Sequence, residues 1–521
     1  MSSLAGVRPL AWQAVRRDRL MLALWTLALV GVCYASAAAT ESLYPTTAEQ
    51  VRAAEAINDS PAIVALYGPI LDVHSLGELA MTKLTVLYAV ILSVLFVILV
   101  RRHTRVEEES GRTELVGGTA VGRDAPLVAA VVEAAVVALG IGLLAGLADL
   151  GGGLPVAGSL AFGASWAGIG LVAVGVTAVA CQLSASARTC AAIAAGAVGV
   201  LYLLRAVGDT SAAWVSWLSP FGWSTQLRAW SGPRWWVLVL YVVLAAVLVG
   251  VAHLLRQRRD LGSGLLAARP GPADGSPRLG DAVALAVRVH APSLAVWSCA
   301  VAGLAVVFGA IAPGIGDLLD SDPAREMIER LGGVGVLEET LLAAILSILA
   351  VVFTCFALTV VGHGGSDEQD GRTEQVLATA TSRSRTFAAT LVVALGGSLW
   401  LLVVAGVGLA LGYGQDFGAL LGAALAQAPA VWLVAALAAL AWAWRSAGTI
   451  AGWVLLGLFL TLGQLGELLG LPDWVLGLSP YTHVPAMPVE PFAPAPFTVL
   501  TLLTALVLTL AWTRYRTRDI G

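Results

Sequence analysis

Two charged strings carry most of the chemistry available to this sequence. Residues 107–114 read Glu-Glu-Glu-Ser-Gly-Arg-Thr-Glu, and residues 367–374 read Asp-Glu-Gln-Asp-Gly-Arg-Thr-Glu. Glu108 returns as Glu368, and Gly111, Arg112, Thr113 and Glu114 return as Gly371, Arg372, Thr373 and Glu374, at a constant offset of 260. A guanidinium is a rigid fork that meets carboxylates in two-point contacts, and a glycine permits a sharp turn ahead of it. The strings therefore suit ion pairing, within the chain or with a partner, on a short helix at a membrane face. The plainer alternative is a solvated loop whose arginines hold topology, although topology alone does not demand the same four residues twice.

A second set consists of polar groups inside otherwise apolar runs: Glu133, Gln182, Gln427, Gln464 and Glu467. Burying such groups in lipid is costly, so each is a candidate for a transport pathway. Glu133 lies near the start of its run and Glu467 at the end of its own, so both are also placed to reach the interface. Arg188 reads better as a topology anchor than as a substrate ligand.

Other chemistries are excluded. A nucleotide-binding P-loop needs a lysine after its glycines, and the single lysine, Lys83, sits in Met-Thr-Lys-Leu-Thr. No stretch between apolar runs exceeds about 40 residues, too few for a folded catalytic domain, so the chain is not expected to be an enzyme. The six histidines, His74, His103, His253, His290, His363 and His483, are scattered, and no metal site is expected. The five cysteines (Cys33, Cys181, Cys190, Cys299, Cys355) fall within apolar runs without paired spacing, as small buried side chains do.

The elements that must hold these residues are transmembrane helices. Hydrophobic residues make up 58% and charged residues 12% of the 521, and mean hydropathy is +0.84; soluble chains carry about 25% charge. Runs of about 20 apolar residues match the span of a bilayer. They fall at 20–40, 80–100, 126–148, 155–183, 189–207 and 235–255, then at 293–315, 339–361, 387–411, 418–443, 447–467 and 497–513. They lack the alternation of a barrel strand, which makes the fold all-α with about twelve spans. The first run, between Arg16-Arg17 and Ala35-Ser36-Ala37-Ala38, also resembles a secretory signal, but it has span length and a counterpart deep in the chain. Of the 30 basic residues only Arg52, Lys83, Arg205, Arg228, Arg234, Arg325 and Arg330 fall on one side. The positive-inside rule makes the other side cytoplasmic and puts both termini there.

The chain repeats itself. Besides the charged strings, Leu218-Ser219-Pro220 pairs with Leu478-Ser479-Pro480, Arg259-Asp260-Leu261-Gly262 with Arg518-Asp519-Ile520-Gly521, and Arg16 and Trp25 with Arg288 and Trp297. Two six-helix halves follow, 1–275 and 276–521, inserted the same way and joined by a flexible Gly/Pro/Ser-rich stretch at 256–287. The halves differ in their first external loop, 41–78 against 316–338. The Ser-Pro segments, with Trp223, Trp230, Trp235 and Trp236 after the first and five prolines after the second, predict short broken pieces before the last span. The tryptophans suit an interfacial belt, with gating of an exit as the alternative.

A charged loop with Gly-Arg-Thr-Glu after span two, a Ser-Pro segment before span six and six spans per unit resemble the ABC-2 type permeases across nearly the whole chain. The fused double unit, with Arg-Asp-(Leu or Ile)-Gly closing each half, is similar to the actinobacterial permeases regarded as polyketide-antibiotic exporters of the tetronasin type. The resemblance implies a permease in the bacterial plasma membrane that exports hydrophobic or amphipathic compounds. It implies a separate cytoplasmic ATPase, two copies per permease, which carries the ATP and magnesium; no nucleic-acid partner is expected. Residues 111–114 and 371–374 would be the coupling helices, and 8–19 and 280–291 flat interfacial elbows. The proton-driven multidrug carrier, also built from duplicated six-span halves, is the main alternative; a membrane anchor for a signalling ATPase is another.

Overall fold

The computed structural model describes residues 3–59, 61–266, 276, 279–314, 334–465 and 472–519. The chain divides into two compact units, Met1–Gly271 and Pro272–Gly521. Among the described residues there is no strand, and eleven helices are long and apolar enough to cross a membrane. The protein is an all-α, multi-pass membrane protein. The run expected at 447–467 is a shorter helix, Ile450–Leu465; Glu467 lies outside the described residues, as does most of the loop at 316–338.

In the first unit the spans are α1 (Val7–Leu43), α4 (Leu76–His103), α7 (Ala125–Gly151), α8 (Val156–Leu183), α9 (Ala187–Thr210) and α12 (Val237–Gln257). Local signals set their ends. Ser75 caps α4 by accepting from Glu78 N–H, and Arg101, Arg102 and His103 occupy its last turn, where positive charge meets the dipole. Ser186 caps α9 in the same manner.

The flat elbow expected at 8–19 is not a separate element. It is the first third of α1, which runs unbroken for 37 residues, or about 55 Å at 1.5 Å per residue. Nothing in 10–30 breaks a helix, and Leu29, Cys33 and Ala37 pack into the core further along. The segment at 280–291 likewise continues into α13 (Ala282–Ile311), which carries Pro292 in its interior.

The fourth span is the hub of the first unit: 78% of the most apolar stretch of α8 is buried, against 17% for α1. Small residues let its neighbour approach. A Cβ on Gly163 would stand 2.3 Å from the Gly142 carbonyl of α7, and one on Gly146 2.8 Å from the Ser159 carbonyl. Helices in lipid associate through such small-residue contacts. Lipid-side residues of the same helices, such as Leu139 and Leu143, stay exposed.

The second unit repeats the plan with α13, α14 (Val334–Gln369), α15 (Arg372–Leu377) and α16 (Arg383–Tyr413). Then follow α17 (Phe417–Ala426), α18 (Ala428–Trp444), α19 (Ile450–Leu465), α20 (Asp473–Leu476) and α21 (Pro494–Thr517). Its fourth span is α17 plus α18, interrupted at Gln427 because Pro429 has no N–H to give to the ladder. Gln427 is 4% exposed.

Before the last span the chain does break into short pieces, α10 (Ala213–Ser216) and α11 (Pro220–Gln226) in the first unit and α20 in the second. The tryptophan belt is only partly right. Trp235 and Trp236 are exposed, but Trp230 presses on Gly77 and Gly158, and Trp223 is buried with its Nε1–H on the Trp217 carbonyl at 2.7 Å. The cause is α11, which folds back into the unit and carries its aromatics inward.

Between α1 and α4 of the first unit lie the short helices α2 (Thr47–Asp59) and α3 (Pro61–Tyr67), and a fully buried arginine pins α3. Arg205 on α9 donates to the Val64, Ala65 and Leu66 carbonyls at 3.1–3.3 Å and pairs with Asp209 at 3.4 Å. These carbonyls lie in the last turn of α3, where backbone acceptors lack a full set of partners within the helix. Arg205→Met is therefore expected to lose about 2–4 kcal/mol, read as a lower unfolding temperature and faster proteolytic cleavage within 44–75. Unchanged cleavage there would mean that α3 is held by other contacts.

Candidate coupling site

At the arginine-rich end of each unit its charged string meets its own Arg-Asp segment, Glu108 with Arg259 and Glu368 with Arg518. In the first unit, α5 (Arg105–Glu109) and α6 (Arg112–Gly117) follow α4, with Gly111 between them at φ +72°. Gly371 before α15 has φ +71°. No neighbouring atom lies within 4 Å of a Cβ built at either position, so the left-handed backbone alone calls for glycine there.

Glu108 is buried and holds this turn to the rest of the unit. Its two carboxylate oxygens accept from Arg259 Nη2 at 2.7 Å and Arg259 Nη1 at 2.9 Å, a two-point contact. Arg105 Nη1 donates to it at 2.7 Å, and Arg256 Nη1 stands 3.6 Å away. The surplus positive charge faces carbonyls. Arg105 donates to Cys181 O at 2.9 Å and Ser263 O at 2.8 Å, and Arg256 donates to Arg123 O at 2.5 Å. Cys181 lies in the last turn of α8, whose dipole end is negative. Gln182 Oε1 accepts from Arg259 Nε at 2.8 Å. The turn at Gly111, the hub helix and the end of the unit's last span are thus tied around one carboxylate.

The second unit keeps the plan with fewer charges. Arg518 donates to Glu368, whose side chain is 4% exposed, and also to Trp442 O at 2.7 Å, in the last turn of α18. Tyr515 O–H donates to the other Glu368 oxygen at 2.6 Å. Arg383 donates to the Arg518 carbonyl at 2.8 Å, as Arg123 does to that of Arg259 at 3.4 Å. At the offsets of the repeat, Tyr515 stands where the first unit has Arg256, and Gly365 where it has Arg105.

The remaining residues of the strings are outside this staple. Arg112 and Arg372 are exposed; the first lies 3.4 Å from Glu107, and the second bonds Asp367 and Asp370 at 2.7 Å each. The Asp367 hydrogen bond, with Asp370 beside it, raises the Arg372 pKa further. Exposed pairs of this kind contribute at most about 1 kcal/mol, so both guanidiniums are available to another partner. Glu114 and Glu374 are exposed in the first turns of α6 and α15, and Leu115 is 77% exposed. Arg188 is exposed. Glu107 also bonds Arg17 of α1, and Glu109 accepts from Ala187 N–H at the start of α9, at 2.6 Å. Glu133 lies apart from the staple, against α1 and α4.

The contributions of Arg105, Arg256 and Tyr515 do not follow from the motifs. Those of Arg259 and Arg518 had a signal: a repeated arginine and a repeated glutamate, opposite in charge, at matching offsets.

The family model of the multidrug efflux system permease Rv1217c, C-terminal domain, matches residues 7–255 and 279–516, one stretch in each unit. The chain belongs to this family of multidrug efflux permeases. The multidrug efflux system permease protein Rv1217c of Mycobacterium tuberculosis (strain ATCC 25618 / H37Rv) is 37% identical over 528 residues, covering 100% of this chain and 96% of that one. As a member of such a family the permease is a transport component and not an enzyme.

Proposed function

We propose that the permease is the membrane subunit of an ATP-driven exporter of hydrophobic or amphipathic compounds, of the tetronasin-type subfamily. A cytoplasmic ATPase, two copies, docks on α6 and α15, and both termini of the permease face the same compartment. The observation that carries this reading is the construction of the coupling turn. In each unit an exposed short helix with a spare arginine is fastened through a buried carboxylate to the C-terminal ends of the fourth and sixth spans. ATP-driven closure of the ATPases pushes on α6 and α15. The Glu108–Arg259 and Glu368–Arg518 pairs pass that push to α8 with α12 and to α18 with α21 as rigid bodies, because a buried, hydrogen-bonded pair has no slack to absorb it. The permease itself performs no bond chemistry; it rearranges apolar walls.

The test is transport of a hydrophobic fluorescent substrate in inverted vesicles holding the permease and its ATPase. Arg112→Glu combined with Arg372→Glu is expected to lower ATP-dependent transport at least about tenfold, as like charges now face the partner. The amount of folded permease should be unchanged, since both positions are exposed. Transport that ignores ATP and collapses with a protonophore would replace this reading with the proton-driven carrier.

A further inference from the structure

The arginine-rich end of the first unit holds a second constellation that the staple does not use. Asp18 on α1, His103 at the last residue of α4 and Glu133 on α7 each offer a ligand atom, and these atoms lie within 4.8 Å of one another. Among the described residues no other three or more His, Cys, Asp or Glu side chains do so. His103 Nε2 is 2.7 Å from Asp18 Oδ2 and 3.6 Å from Glu133 Oε2. The side chains are 0%, 9% and 1% exposed for Asp18, His103 and Glu133.

Glu133 is the telling member. Neither of its carboxylate oxygens has a hydrogen-bond partner, although the residue is 98% buried and its carboxylate faces the imidazole. A buried carboxylate without donors or a counter-charge is strongly disfavoured. The nearby arginine does not fill the gap: Arg102 Nη2 sits 3.1 Å from Asp18 Oδ1, the oxygen that does not bond His103. One carboxylate is balanced and the other is not.

We infer that Asp18, His103 and Glu133 bind one divalent transition-metal ion. Ligand atoms at about 2.1 Å from a metal lie about 3.0–3.4 Å apart in octahedral or tetrahedral geometry, and the two observed separations bracket that range. One imidazole and two carboxylates form a borderline donor set, which suits Zn²⁺ or Mn²⁺ better than the all-oxygen ions or the thiolate-loving ones. An entry path exists: His103 forms part of the wall of a cavity of about 530 Å³, with Gln13 and Arg17 of α1 and Ala129 and Ala130 of α7. Bound there, the ion clamps α1, α4 and α7 together four residues from Glu107, the residue that joins α1 to the coupling turn. At the repeat offsets the second unit has His290, His363 and Val393. The two imidazoles stack at 5.3 Å, and Val393 stands where the first unit has the Glu133 carboxylate, so the site belongs to the first unit. None of this depends on what drives transport.

The test uses the whole purified permease in detergent, freed of any affinity tag, stripped with a chelator and dialysed against Zn²⁺. Metal analysis is expected to give about one equivalent per chain. Glu133→Gln, which keeps the shape of the side chain, and His103→Asn should each weaken binding at least about tenfold, the least that losing even an outer partner costs a metal site. His253→Asn should not. Co²⁺ in place of Zn²⁺ should give a visible absorption band that Glu133→Gln abolishes, and Zn²⁺ should raise the unfolding temperature of the wild type but not of the variant. Metal content equal in wild type and Glu133→Gln, or no Co²⁺ band in a folded wild type, would overturn the assignment and leave the trio as a hydrogen-bonded His103–Asp18 pair beside Glu133.

Discussion

Glu108→Ala is expected to destabilise the first unit by about 3–5 kcal/mol, because removing one partner of a buried ion pair leaves the other charge uncompensated. Here the uncompensated charges are Arg105, Arg256 and Arg259, all 8% exposed or less. The carbonyls that Arg105 and Arg259 already meet at Cys181, Ser263 and Asp260 cannot supply a countercharge. Glu368→Ala should cost less, since its main partners are one arginine and one neutral phenol, Arg518 and Tyr515. The comparison is made by thermal unfolding of the two variants in the same detergent. Equal losses would show that the extra arginines of the first unit are satisfied by carbonyls alone. Double-mutant cycles should find Glu108 coupled to Arg259 and not to Arg112, whose carboxylate neighbour is Glu107. On the proposed reading, a Glu108→Ala protein that still folds is expected to bind an ATPase yet transport poorly, since α6 stays in place at the surface while the Glu108–Arg259 tie to α12 is gone.

Gly163→Val should be as damaging, through packing alone. The Cβ would stand 2.3 Å from the Gly142 carbonyl oxygen and 3.1 Å from Gly146 N. These are backbone atoms with no rotamer to change, so α7 and α8 must separate. Overpacking of this kind costs about 3 kcal/mol or more, and in lipid no hydrophobic effect draws the helices back together. The expected reading is a sharp loss of monodisperse protein on size exclusion. Gly140→Val on the facing helix α7 is the control, because nothing lies within 4 Å of its Cβ. Equal yields of the two variants would show that α7 can shift on α8 without penalty.

Composition and pattern by themselves determined the class of this protein. Apolar runs of membrane length can satisfy their backbone only as helices, so the spans were legible before any coordinates, with ends misjudged where a helix runs on past the bilayer, as at Val7–Leu43 and Val334–Gln369. The turns at Gly111 and Gly371 were legible for a similar reason: a positive φ is a property of one residue and its neighbours. Which carboxylate meets which arginine was not. Glu108 and Arg259 are 151 residues apart, and only the packing of α4 and α12 against α8 brings their ends together. Glu108 and Glu114 look equivalent in the motif, yet one is buried and the other exposed, because helix faces are assigned by neighbours and not by the string. The same holds for Asp18, His103 and Glu133, each ordinary in its own segment. Their meeting is set by how α1, α4 and α7 cross, through contacts between residues far apart in the chain that local spacing does not encode.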